Sequence, residues 1–284
     1  MKKTLFAAAA LVAMVSCNKT LIETPDSEFG YLNFGISADT EMSVITKAAV
    51  DQNTLNSYYV TLMRVGETNS QDINVWGTSK QLTSISENDK KVPAGSYYIV
   101  VENKTTAECH PNNSLGEKHL YGKGTDVPLT AGGTAELSAT ASVINSKVTV
   151  DYTSKFSTTF ANATVAVSLA GDTAGRSYTF NSSNKGHEDA KAAYFPADTK
   201  SADSEQFFAS LSMKITATVG GESREYSITT SVNRKTWAKV TLDSGVDGTI
   251  RISISADDAM TEGTEETITI DPVSGTVINP AYGA

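Results

Sequence analysis

The groups best suited to chemistry in this 284-residue chain are few and scattered. Cys109, His110 and His119 lie within eleven residues of one another, and the remaining histidine is His187. One thiol and two imidazoles fall short of the four-ligand set of a structural zinc site, so the group reads as a surface loop and no metal is expected. Asp257, Asp258, Glu262, Glu265 and Glu266 form an acidic stretch. It lacks the ligand order and the glycine of an EF-hand loop and reads as a solvated loop. No Gly-x-Ser-x-Gly elbow, His-Glu-x-x-His pair or phosphate-binding glycine loop occurs. A glycosidase would need two carboxylates set by the fold on either side of a bond, and the sequence singles out no such pair. The expectation is a protein without enzyme activity and without a cofactor. Trp76, Trp237, Tyr97, Tyr121, Tyr194 and Phe195 could stack on sugar rings where exposed. Trp237 lies in a strand pattern that assigns it to the core. Tyr194 and Phe195, flanked by polar loops, stand as a candidate ligand contact.

A different chemistry attaches to Cys17. Lys2 and Lys3 precede the apolar run Leu5 to Val15, followed by Ser16 and Cys17. The run is shorter than the roughly 20 residues of a spanning helix, and its charged start and small-residue end read as an export signal. Val15-Ser16-Cys17 looks like a bacterial lipobox, with Met14 where leucine is usual. Cleavage before Cys17 would remove residues 1–16, and acyl chains on the new terminus would anchor the protein to a membrane outside the cytoplasm. Two or more chains hold stably at about 0.8 kcal/mol per buried methylene. Asn18 and Lys19 are not followed by a run of acids. That leaves open which face of the membrane carries the protein.

The formal charge of −9 includes Lys2 and Lys3, so the processed chain stands at −11. Clustered Lys and Arg are missing, which argues against a nucleic-acid partner. With Cys17 acylated, Cys109 has no partner for a disulfide, and the fold must hold by core burial.

After a polar tether over residues 17–28, short alternating segments follow one another, separated by turn residues. In Tyr31 to Ser37, Leu32, Phe34 and Ile36 share one face, the period-2 signature of a half-buried strand that Met42 and Val44 could extend. Tyr58–Val65, Ile73–Trp76, Ser96–Glu102, Val127–Leu129 and Ala135–Val143 are further strands. Pro93 and Gly95 suggest a type II turn in which Gly95 takes positive φ. A boundary falls near Ile144 to Ser146. Then come Lys147–Tyr152, Val165–Leu169, Tyr178–Phe180, Phe207–Val219 turned by Gly220-Gly221 into Tyr226–Val232, Trp237–Leu242, Ile250–Ile254 and Thr267–Ile270. No segment keeps a 3.6-residue apolar period, so helices should be few and short. The chain reads as all-β, with one unit over 29–145, a second over 146–271 and a tail over 272–284.

Val92-Pro93-Ala94-Gly95-Ser96-Tyr97, Leu120-Tyr121-Gly122, Leu129-Thr130-Ala131-Gly132, Lys147-Val148-Thr149-Val150 and Tyr194-Phe195 occur in that order behind the lipobox. Together they resemble a family of Bacteroidales lipoproteins related to the fimbrillins, the subunits of lipoprotein-derived pili. The resemblance covers roughly residues 28–271. It implies two tandem transthyretin-like β-sandwiches, a surface or pilus location, and other pilus or surface subunits, host proteins or glycans as partners. For pilus subunits it further implies strand exchange: a protease cuts behind the first strand, and a neighbour's strand fills the groove. Lys47 sits where such a cut is needed. Subunits cut by an arginine-specific enzyme would carry Arg there, so a plain loop lysine is an equal reading. Leu32, Phe34 and Ile36 would be the exchanged residues, and Val273, Val277 and Ile278, between Pro272 and Pro280, a candidate donor arm or a frayed tail. Two functions follow: a lipid-anchored structural or adhesion protein of fimbrillin-like type, or a monomeric glycan-binding lipoprotein.

Overall fold

The computed structural model describes residues 28–40, 52–66, 70–201, 206–257 and 265–278. Cys17, Lys47, the leader over 1–16, the tether up to residue 27 and the extension through Met42 and Val44 lie outside the described residues. The chain is all-β. It divides into two compact units: the described residues of 28–39, 52–103 and 121–142 form one, and Thr40 with those of 104–120 and from 143 onward form the other.

The first unit carries β1 (Phe29–Asp39), α1 (Gln52–Leu55), β2 (Tyr59–Arg64), β3 (Ile73–Asn74), β4 (Lys80–Gln81), α2 (Glu87–Lys90), β5 (Lys91–Pro93), β6 (Gly95–Glu102), β7 (Leu120–Lys123), β8 (Val127–Leu129) and β9 (Thr134–Val143). Its nine strands form one sheet in the order β3-β2-β6-β7-β9-β1-β5, with β4 also on β2 and β8 also on β6. β9 alternates buried and exposed residues along nearly its whole length, so Leu137, Ala139 and Ala141 reach the core while Glu136, Ser138 and Thr140 face out. Leu32, Val60, Leu62, Tyr97, Ile99 and Val101 complete that core.

Two motifs of this unit have definite physical roles. A Cβ on Gly122 would come within 2.2 Å of the Thr140 carbonyl oxygen, so only glycine lets β7 approach β9 this closely. Gly95 departs from expectation: it is the first residue of β6 and is not among the positive-φ glycines, so no type II turn forms there. The Pro-Ala-Gly-Ser-Tyr segment is fastened by its tyrosine instead, because the fully buried Tyr97 donates its hydroxyl to the Pro93 carbonyl at 2.7 Å.

The second unit carries α3 (Thr106–Cys109), β10 (Asn145–Tyr152), α4 (Ser154–Thr159), β11 (Thr164–Leu169), β12 (Ser177–Phe180), β13 (Ala193–Pro196), β14 (Thr199–Lys200), β15 (Phe207–Val219), β16 (Glu222–Asn233), β17 (Trp237–Ser244), β18 (Ile250–Asp257), β19 (Glu265–Ile270) and β20 (Val277–Ile278). One sheet runs β13-β10-β17-β18-β19-β20; the other runs β12-β11-β15-β14, with β16 also on β15. Val148, Val150 and Tyr152 of β10 share a core with Leu211, Met213 and Ile215 of β15 and with Val240 and Leu242 of β17. Gly220 and Gly221 have φ of 61° and 87°, the left-handed pair that closes a two-residue hairpin between β15 and β16. Among the described residues the longest helix, α4, has six residues.

Candidate functional site

The first unit's opening strand is held in an unusual way. β1 runs parallel to β9 over nine residue pairs, Tyr31 with Thr134 through Asp39 with Ser142. The Tyr31 N–H donates to the Gly133 carbonyl at 3.0 Å. This fixes the parity: the backbone groups of the odd residues from Tyr31 to Asp39 face β9, and those of Leu32, Phe34, Ile36 and Ala38 face the opposite edge. On that edge β5 pairs only with Phe29, Gly30 and Tyr31. Beyond Tyr31, among the described residues, no strand pairs with it.

Side chains replace the missing ladder. Leu32 is fully buried, while Phe34 and Ile36 are half-buried. Phe34 meets Trp76 edge-on at 5.9 Å between ring centroids. Trp76 is itself fixed by its indole N–H, which donates to the Asp89 carbonyl at 3.1 Å, and by the Lys80 ammonium 5.4 Å above its ring. Lys80 also pairs with the Asp89 carboxylate at 2.5 Å. That contact, with the Ser86 N–H and hydroxyl of the α2 capping box, holds Asp89 down at about 2. On the solvent side Ser37 and Thr140 share a hydroxyl hydrogen bond of 2.8 Å.

The second unit's opening strand has the same parallel start and a different cover. β10 lies between β13 and β17, and its first six residues, Asn145 to Val150, are all buried. The register sets Tyr194, Lys147 and Trp237 in one row across β13, β10 and β17. Lys147, with 3% of its side chain exposed, pairs with Asp189 and stands 3.4 Å from the Trp237 ring centroid, while Lys239 stands at 4.4 Å. Trp237 therefore does not join the core as its pattern suggested. It is half-buried on the opposite face of the strand, with its indole N–H donated to the Thr149 hydroxyl at 2.9 Å. His187 lies between Thr149 and Thr241, at 2.9 and 3.1 Å from their hydroxyls, and burial pushes its pKa down. Tyr194 is half-buried and pushed up to about 12 by burial, with Asp189 adding to the shift. Its neighbour Phe195 is fully buried in the core, which leaves Tyr194 alone of the pair with access to solvent.

The other groups singled out by type are dispersed. Cys109 is buried, and the buried His110 sets its Nδ1 3.0 Å from the Pro111 carbonyl, with burial lowering its pKa. The Asn145 side-chain oxygen accepts from the His119 backbone N–H at 3.2 Å. Among the described residues, no three of His, Cys, Asp and Glu gather as a metal site. Of the acidic stretch, Asp257 ends β18, and Glu265 and Glu266 begin β19 and pair with Ser255 and Ile254; these are strand positions, not a loop. Asp258 and Glu262 lie outside the described residues. Val277 and Ile278 form β20 against Ile270 and Thr269, and Val273 is 69% exposed in the preceding turn. That turn is tied back to β16: the Tyr226 hydroxyl donates to the Pro272 carbonyl at 2.7 Å, and Arg224 to that of Val273 at 2.5 Å. A cleft of about 110 Å³ lies among Thr230, Val232, Thr236, Ala238 and Ile254, small beside the roughly 300–1,000 Å³ of ligand pockets.

Residues 28–272 match a family described as a domain of unknown function, DUF4493. The chain belongs to the DUF4493 family. None of the curated proteins matches it. Among solved structures, this DUF4493 chain is similar to a fimbrial assembly protein from Parabacteroides distasonis, at 10% identity and a TM-score of 0.43, covering 84% of this chain and 100% of that one. It is also similar to the fimbrial anchor protein Mfa2 from Porphyromonas gingivalis, at 14% identity and a TM-score of 0.39, covering 79% of this chain and 97% of that one. Among the described residues of the DUF4493 chain, no helix is long and apolar enough to cross a membrane.

Proposed function

We propose that this chain is a lipid-anchored surface protein of adhesion or pilus type that works by protein contacts, with β1 as an exchangeable strand. The observation that supports the reading is the single ladder of β1. From Leu32 to Asp39 it rests on β9 alone among the described strands, yet it delivers a fully buried leucine and a half-buried Phe34 to the first unit. Loss of such a strand would expose the edge of β9 and leave an apolar slot, at a cost of about 1.5–3 kcal/mol for a fully buried side chain such as Leu32. An incoming strand would restore both terms by β-augmentation. Lys47, eight residues beyond β1, is the processing residue in this reading, and Cys17 the lipid anchor in the outer membrane. The donor lies in the stretch Val273 to Ile278, whose ladder to β19 spans two residue pairs.

Limited trypsin digestion of the full-length chain tests this. A cut after Lys47, identified by sequencing the new N-terminus, followed by a ladder of oligomers, is the expected outcome. An uncut or cut chain that stays monomeric and is retained on a polysaccharide column would sink it in favour of glycan binding. Among the described residues, Phe195 is inside and two lysines crowd the Trp237 ring, so neither offers an open stacking face.

A further inference from the structure

The second unit has an open strand edge of its own. β15 and β16 pair over twelve consecutive residues without a bulge, Phe208 with Asn233 through Val219 with Glu222. The Arg234 N–H donates to the Phe207 carbonyl at 2.8 Å, one step beyond that ladder. Parity follows. Even residues of β16 turn their N–H and C=O toward β15, and odd residues turn theirs away. The odd residues Ser223, Glu225, Ser227, Thr229, Ser231 and Asn233 are all exposed, so the outer face of the strand is open to solvent. At one end the edge is already used, because the Asn233 carbonyl accepts from the Thr236 N–H at 3.2 Å and from the Ser146 hydroxyl at 2.9 Å. From Ser223 to Ser231, among the described residues, no strand pairs with it.

Natural edges are guarded by lysine, proline, bulges or brevity. β16 has none of these, and from Tyr226 to Asn233 it carries no charge. The other edge strands of this unit are short: β12 spans four residues, and β13 spans four and is covered where the Tyr194 N–H donates to the Leu115 carbonyl at 2.8 Å. The occupant must be extended, must present free backbone groups on alternate residues, and must set no like charge against Glu222, Arg224 or Glu225. β16 itself meets all three conditions.

We propose that two copies of this chain pair through β16, antiparallel and two-fold, about Ser227. This register is singled out because it matches the window from Ser223 to Ser231 to itself. Ser223 faces Ser231 of the second copy, Glu225 faces Thr229, and Ser227 faces its own mate. Between them Tyr226 opposes Ile228, Arg224 opposes Thr230, and Glu222 opposes Val232, so no charge meets its like. Centring on Thr229 would set Arg224 against Arg234 and would need the Asn233 carbonyl, which is taken. The pairing involves a different unit from β1 and stands whether or not β1 is exchanged.

A charge swap on the axis tests it with the full-length chain. The parent should sediment as a dimer at micromolar concentration. Ser227→Lys and Ser227→Glu each set like charges opposite one another and should each raise the dimer Kd by about tenfold or more. Mixing the two variants should restore the dimer. Ser227 is exposed, so both variants should keep the parent circular dichroism. Residues opposed in a hydrogen-bonded antiparallel pair have Cα atoms about 5.5 Å apart, within disulfide range, so Ser227→Cys should yield a covalent dimer on oxidation beyond the parent background. A parent monomeric up to about 100 μM, a dimer unmoved by either charge, or a mixture that fails to re-form would each overturn the proposal.

Discussion

β1 and β10 open their units with the same move and end in opposite conditions. Each runs parallel to a strand much later in its own unit, β1 with β9 and β10 with β17. β5 lies on the second edge of β1 over three pairs and β13 on that of β10 over four, but among the described residues β10 is met further along by the Gly186 N–H, which donates to the Val150 carbonyl at 2.8 Å, and the segment carrying His187 and Asp189 meets Thr149 and Lys147 on its outer face. β1 carries Gly30 and Gly35, exposes Tyr31, Asn33 and Ser37, and past Tyr31 is held by its β9 ladder, by the buried Leu32 and by Phe34 against Trp76. Parallel pairing therefore does not by itself decide how firmly a strand is held. The second edge and the cover over the outer face decide it, and the two strands differ in both.

The largest effect expected from that contrast is at Leu32. Leu32→Ala should lower the unfolding free energy of the first unit by about 2–5 kcal/mol. Trp76 lies in the first unit and Trp237 in the second, so urea titrations of single-tryptophan variants read the units separately. The Trp76 transition should move and the Trp237 transition should not. Equal shifts in both would show the units unfolding together and break the comparison.

Acid should act in the opposite order. All three histidines lie in the second unit. Burial pushes His187 and His110 below the ordinary 6.5; Asp151, Glu188 and Lys239 act on the first, and Asp172 and Arg176 on the second. The folded state then binds fewer protons than the unfolded state, so this stability is complete above 6.5 and is lost as pH falls below it. In the first unit Asp89, held at about 2, contributes stability present above 3.8 and lost only as pH falls toward 2. Between about pH 7.5 and 5, the Trp237 transition should therefore weaken more than that of Trp76. Constant stability of the second unit over that range would remove the histidines from the account.

The smallest effect sharpens what secures β10. Lys147→Met removes a buried cation whose partner Asp189 is 76% exposed on its side chain. Replacing a buried ion by an apolar chain of similar length is often neutral, so stability should change by no more than about 1 kcal/mol. A much larger loss would mean that the Lys147–Asp189 pair, more than Val148 and Val150, holds the strand.

The strands of this protein were legible because alternation was strong. Leu32 through Ile36, Ala135 through Val143 and Phe207 through Val219 stand where period-2 patterning set them, and Gly220-Gly221 turns where the dipeptide promised. What escaped has physical reasons. Parallel partners such as β1 and β9 share no local signal, because pairing depends on residues about a hundred positions apart. Residues 104–120 belong to the second unit, although they lie between strands of the first. Trp237 looked like core because alternation gives two faces and does not say which points inward. Gly95 carried a turn-like dipeptide context but was needed as a strand residue beside Arg64 and Tyr97. For the candidate site, the apolar face of β1 could be read from sequence, whereas the openness of its second edge could not.

The separation of 103 positions between Ser37 and Thr140 also orders events during synthesis. A ribosome releases β1 long before β9 exists, so the strand spends that interval without the nine-residue ladder that holds it. β15 and β16, joined by two glycines, can close as soon as they themselves have emerged. The hairpin is therefore a local event, and the placing of β1 a late one, set by the arrival of β9.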